Sequence, residues 1–259
     1  MSSKAETSDR PPSYAEATSR DKTDDILGPV ILILAGQAIY AENASTAPLY
    51  HLDRGIESLS RATTKVTFER VERIVRTNAQ NEPSLRYHRR HVFDLEQTWS
   101  LYNLDPMYPV PSNCPRFFAR AVSKRALGPV GLKKAFLRSS YKALPVDVDG
   151  ERDRYGALVF VKDASPLFEL CKKGGQWQWT DKDGNAVAIE DQGENTHRLI
   201  VTAPLQRESV DSMVALWCCR LWKESAKRLG DPAGGLQGFR RKVQYGKEMR
   251  GSVFGGITI

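Results

Sequence analysis

The residues best suited to chemistry form one basic run. Lys124, Arg125, Lys133, Lys134, Arg138 and Lys142 fall within nineteen residues that contain no acid. Leu127, Leu132, Phe136 and Leu137 interleave with them. Cations flanked by apolar side chains suit an anionic membrane surface, where each basic residue contributes about 1 kcal/mol. A solvated face of a sheet would carry the same pattern. Nucleic acid would use the same charges, but no aromatic stacking set and no known binding motif stands beside them, so it is not expected as a partner. A second candidate is Pro11-Pro12-Ser13-Tyr14, a complete PPxY string of the kind that WW domains read. Its prolines pre-set a polyproline II backbone, and Tyr14 fills a neighbouring pocket. The partner class it points to is a ubiquitin ligase carrying WW domains; chance occurrence in a Pro- and Ser-containing tail is the other explanation.

Catalysis finds little support. The chain holds no GxSxG, HExxH or P-loop string, so no enzyme activity, cofactor or metal is expected. His88 and His91 are three apart but sit among arginines that would repel a metal, and are expected on the surface. Asp147, Asp149, Glu151 and Asp153 lack the rest of a calcium loop and are expected in a solvated turn. Glu190, Asp191 and Glu194 are expected in a loop, and Trp177 and Trp179, which share a strand face, in the core.

A net charge of +7 and a pI of about 9.2 favour an anionic partner. The first 25 residues are polar and lack the apolar core of a signal peptide. Cys114, Cys171, Cys218 and Cys219 make no CxxC pair and are expected as reduced thiols. These features fit the cytosol or the nucleus, with a peripheral membrane location if lipid is bound.

The element that must hold any site together is Glu208 to Lys227. From Met213 to Trp222 every residue except Arg220 is apolar or small, and large side chains point in all directions of a helical wheel. Such a helix is buried on all sides, and the run is about half the length of a membrane span. Arg220 must then pair with an acid or reach the end of the enclosure. Ser209 is a fair N-cap, with Asp211 in the first turn.

The enclosing chain reads as short strands. Val30–Leu34, Tyr50–Leu52, Arg116–Ser123, Leu158–Val161, Leu167–Leu170 and Leu199–Val201 have strand length or alternation. The apolar alternation from Val66 to Val75 slips once, as at a bulge. Asn78–Arg90 is expected as a hairpin loop, Leu104–Pro115 as irregular, and Lys124–Lys142 as turn-rich. Asp181-Lys182-Asp183-Gly184 is expected to close a hairpin. Residues 1–27 form a polar tail expected to be disordered, 28–229 the domain, and 230–259 a basic, Gly-rich tail.

The hairpin Trp179–Ala188, the strand His197–Ala203 and the helix Asp211–Trp222, in that order, resemble the tubby C-terminal-like superfamily, with its LURP-one-related and phospholipid-scramblase-like members, and within it a fungal group of tubby-like domains. The resemblance spans Gly28 to Leu229. It implies a mostly β fold: a closed antiparallel β-barrel of about twelve strands around a C-terminal hydrophobic helix. It also implies binding of phosphoinositides through a basic surface.

Overall fold

The computed structural model describes residues 26–42, 47–60, 62–77, 82–98, 110–135, 140–192 and 196–230. The PPxY string, Arg138, Glu194 and the basic C-terminal tail lie outside the described residues.

In chain order the strands are β1 (Ile26–Leu27), β2 (Val30–Ala35), β3 (Ala38–Ala41), β4 (Tyr50–Leu52), β5 (Lys65–Thr77), β6 (Pro83–Gln97), β7 (Phe117–Ala121) and β8 (Val130–Lys134). They continue as β9 (Ser140–Arg152), β10 (Leu158–Phe160), β11 (Phe168–Lys173), β12 (Gln176–Thr180), β13 (Ala186–Gln192), β14 (His197–Val201) and β15 (Leu205–Gln206). The helix α1 (Arg207–Gly230) follows directly. Every pairing is antiparallel. Going round from β9, the order β11-β12-β13-β14-β2-β3-β4-β5-β6-β7-β8 returns to β9 and closes a twelve-stranded barrel. Closure removes the unpaired edges that an open sheet exposes.

The helix α1 fills this barrel. Val210 to Trp222 are buried without interruption, and Trp217, Trp222, Met213 and Leu216 are at most 1% exposed. The inward strand residues that meet them include Leu32, Ile39, Phe68, Phe93, Leu170, Trp179 and Leu199. At alternate positions these strands turn apolar side chains inward, as the pleat requires. Phe117 meets Trp222 edge-on at 5.1 Å between ring centroids. The helix starts at Arg207, so Ser209 lies inside it and is not its N-cap.

Outside the ring, β9 continues past the barrel and pairs with β10, covering a second apolar cluster of Phe118, Leu144, Val146, Leu158 and Phe160. Gly131 packs closely here: a Cβ would lie 3.1–3.2 Å from Pro115, Phe118 and Val146, which would have to shift by a few tenths of an ångström. The carboxylates Asp147, Asp149 and Glu151, expected in a turn, lie in β9, and Asp153 opens the turn to β10. Ile26 and Leu27, expected in the N-terminal tail, instead pair with Gln206 and Leu205.

The slip in β5 is a register shift between Phe68 and Glu69, with Val92 as the extra residue on β6. The stretch expected as a long loop is mostly strand: pairing runs to Thr77 and Pro83, and Asn78–Asn81 lie outside the described residues. Polarity misled the sequence reading, because both faces of this ribbon meet solvent. The hairpin at Asp181 forms as expected. The Asp181 carboxylate accepts from the Asp183 and Asn185 amides, and Gly184 takes φ +84°.

Candidate functional site

Two polar clusters pin α1 inside the barrel and define its two ends. At the helix start, Asp211 accepts from Tyr50 Oη at 2.8 Å and from Arg70 at 2.6 Å. Arg70 also donates to Glu72, which takes two further bonds from Arg90. Burial pushes the Asp211 carboxyl up, and Arg70 pulls it down. Burial also works against the charge on Glu72, but the bonds from Arg90 and Arg70 win and hold its pKa at about 2.

In the second half of the helix, Arg220 Nε donates to Glu190 at 2.8 Å, and its terminal nitrogens reach Glu190 and Glu224. Glu190 is 1% exposed and also accepts from Trp179 Nε1 at 3.0 Å. Burial pushes its carboxyl up, to about 7, against the pull of Arg220. Glu190 and Asp191, expected in a loop, therefore lie in β13, and Glu190 is the acid that the burial of Arg220 required.

Near Arg220 a small surface depression is lined by Arg116, Phe117, Leu132, Tyr141, Cys219, Arg220 and Lys223. Lys223 Nζ donates to Tyr141 Oη at 3.1 Å and lies 4.8 Å from that ring's centroid. Tyr141 packs on Trp177 at 5.4 Å, and the Arg220 guanidinium lies 5.5 Å from the Trp177 centroid. Trp179 is fully buried in the core, as expected, whereas Trp177, expected there too, is half-buried.

The basic run does not form one surface. Lys124 and Arg125 are exposed in the turn between β7 and β8, which follows the Val122 and Ser123 amides that donate to the Val92 carbonyl, at the end where α1 begins. Lys133, Lys134 and Lys142 lie at the opposite end, where Lys133 pairs across the strands with Lys142, and Lys134 with Tyr141. The stretch expected to be turn-rich is strand here. Lys142 is also neutralised by Glu169 at 2.8 Å, and Lys133 leans toward the Phe160 ring at 5.9 Å.

Sequence reasoning missed the partners that the fold brings to this end. Lys172 and Lys173 stand just beyond Cys171, which pairs with Ser140. Lys223 and Lys227 come from the emerging helix. A lysine pair at a strand end and cations in a last helical turn were legible as such; their convergence depends on register.

His88 is exposed, as expected, whereas His91 is half-buried, with its Nε2 2.8 Å from the buried Asp94. All four cysteines are free thiols. Among the described residues no three His, Cys, Asp or Glu side chains are grouped to hold a metal ion, and no helix is long and apolar enough to cross a membrane. No protein-family model, curated protein or solved structure matches the chain.

Proposed function

We propose that the barrel is a non-catalytic binding module for anionic phospholipid, phosphoinositides included, and that it meets the membrane with the lysine-rich end from which α1 emerges. One observation carries this reading: Lys133, Lys134, Lys172, Lys173, Lys223 and Lys227, remote in sequence, share that end. Lysine is a hydrated point charge on a flexible stem, suited to a lipid surface that offers charge without fixed geometry. Six such residues at about 1 kcal/mol each give an affinity on the order of tens of micromolar. The twelve-stranded barrel around a final helix has the layout implied by the resemblance to tubby C-terminal-like proteins, which supports placing the chain in that superfamily.

The test is sedimentation with phosphatidylcholine vesicles, with and without phosphatidylserine or a phosphoinositide. The wild type should sediment only with anionic vesicles, and less as salt rises, because exposed charges are screened over about 10 Å at 0.1 M. The variant Lys133→Glu, Lys134→Glu, Lys173→Glu should stay in solution with its melting temperature unchanged. No sedimentation of the wild type, or equal sedimentation of the variant, contradicts the reading.

A second reading rests on Pro11-Pro12-Ser13-Tyr14: an adaptor that recruits a WW-domain ubiquitin ligase. A single short motif binds weakly, and membrane attachment of the barrel would raise its effective concentration. A peptide of residues 5–20 should bind a WW domain, and the same peptide with Tyr14→Ala should not; equal binding by the two means the motif is not read.

A further inference from the structure

Beyond the barrel wall, β5 and β6 continue as a two-stranded ribbon. The pairing of β4 with β5 ends at Arg70, and that of β7 with β6 at Phe93. The pairs from Glu72–His88 out to Thr77–Pro83 have only each other among the described strands. The ribbon leaves the barrel where α1 begins, beside the bond from Arg70 to Asp211, and projects roughly 20 Å at about 3.4 Å per residue. Backbone direction alternates along a strand. On β5 the Thr67 carbonyl accepts from Asp53 and the Val71 amide donates to Leu49, both toward β4. Arg73, Val75 and Thr77 therefore turn their N–H and C=O groups to that same side, where no described strand meets them.

The two outer edges of the ribbon differ. On β6 stand Pro83, Arg86, Arg89 and Arg90, with no acid before Asp94 and an extra residue, Val92, that makes a bulge. Proline, charge and bulges keep a strand edge from pairing. On β5 the run from Val71 to Thr77 has no proline, glycine or lysine, and no register shift lies beyond Phe68/Glu69. Val71, Ile74, Val75 and Thr77 are β-branched, a type that suits a ladder. The charges on this edge have both signs: Glu72, Arg73 and Arg76. Glu72 holds Arg70 and Arg90, yet its side chain is 23% exposed. Arg73 and Glu82 are engaged, and Arg89 lies 3.8 Å from Glu69. The Arg76 side chain is exposed and has no partner among the described residues.

An unpaired strand edge selects its partner by backbone, as another extended strand. The order of side chains then selects which strand. Only alternate residues of β5 offer outward backbone groups, so two copies pair antiparallel about a twofold axis that passes a residue and not a gap between residues. An axis at Glu72, Arg73 or Arg76 sets that charge against its own copy, which a ladder disfavours. An axis at Val75 leaves Glu72 without an opposite charge. An axis at Ile74 sets Ile74 against itself, Arg73 against Val75 of the partner subunit and, twice, Glu72 against Arg76 of the partner subunit. The unpartnered cation thereby meets the part-exposed acid, and opposite charges directly across a ladder stabilise it. Val75, 68% exposed, comes to stand between Leu85 of its own chain and the stem of the partner subunit's Arg73. We propose that the protein forms a twofold dimer in which β5 pairs antiparallel with β5 of a second copy about Ile74. A polyanion or a lipid surface would leave the β5 backbone groups without a ladder and would be repelled by Glu72. The contact is independent of the lysine-rich end.

The test is sedimentation velocity of the full chain over a concentration series, without lipid. The wild type should pass from monomer to dimer as concentration rises, and so should the lysine-end variant Lys133→Glu, Lys134→Glu, Lys173→Glu. Val75→Pro should stay monomeric throughout, with its circular dichroism melt unchanged, because the amide it removes points away from β6. Arg76→Glu, which sets like charges opposite each other twice, should weaken the dimer roughly tenfold. Oxidative cross-linking reads the register. Residues opposite each other in a non-hydrogen-bonded antiparallel pair have Cα atoms about 4.5 Å apart, within reach of a disulfide. In a Cys171→Ser background, Ile74→Cys should therefore form an interchain disulfide under mild oxidation. Arg76→Cys should not, because the axis places its own copy four residues along the strand. Three results overturn the proposal: a wild type that stays monomeric at every concentration, a disulfide at position 76 and not at 74, or undiminished association of Val75→Pro. If Val75→Pro melts early, Arg76→Glu decides in its place, and association as strong as the wild type's overturns the proposal.

Discussion

Arg220 shows at the residue scale what a sequence can and cannot disclose. A lone cation in an apolar helix must find an acid, and that need was legible. The identity of the acid was not, because Glu190 stands beside Asp191 and near Glu194 in what reads as a polar loop. Only the pleat of β13 separates the inward Glu190 from Asp191. Trp217, 1% exposed at the centre of the helix, gives the plainest stability test. Trp217→Ala should cost about 3–5 kcal/mol in denaturant unfolding, because the barrel wall cannot collapse onto the void. Glu72 sets an acid-side prediction. Its folded pKa of about 2 lies below the unfolded value of roughly 4.3, so its contribution is complete above pH 4.3 and is lost as pH falls through about 2. Glu72→Gln should lower stability at pH 7 by up to about 1 kcal/mol and flatten the loss between pH 4.3 and 2. Urea midpoints of the two proteins across that range check it.

At the scale of elements, the helix was the most legible part of the chain, because apolar side chains on every side of a ten-residue run leave few alternatives. Its packing makes it the internal support of the barrel rather than an appendage. Residues Val210 to Trp222 are buried throughout, and each large side chain among them contributes roughly 1.5–3 kcal/mol. A chain ending before Arg207 should therefore give no cooperative melt, and a melt near the wild-type temperature would show that the sheet closes without its filling. The ribbon was the least legible element. Its outer half buries neither face, so neither the alternation nor the apolar content of a strand is present to read. The basic run failed for a related reason. Sequence proximity placed Lys124 beside Lys133, but β8 runs the height of the wall between them and sends them to opposite ends.

The whole molecule thus has two charged ends of different chemistry, with lysines around the emerging helix and arginines on the projecting ribbon. That polarity was invisible in the net charge of +7, which sums both ends. Fold class was readable because a helix apolar on every side must be enclosed and the chain before it reads as short strands; the closed barrel of about twelve strands was what the resemblance implied. The site was readable only in part, because it is assembled by register across β8, β9 and β11. Cys171, a partly exposed free thiol beside Lys172 at the lysine end, offers a reporter, while the other three cysteines are buried. A fluorophore on Cys171 of the otherwise wild-type protein, mixed with anionic vesicles carrying nitroxide-labelled headgroups, reads the orientation directly. Strong quenching at Cys171, with none for a probe placed on the ribbon by Val75→Cys in a Cys171→Ser background, is the predicted result. Quenching at the ribbon and not at Cys171 would contradict the account.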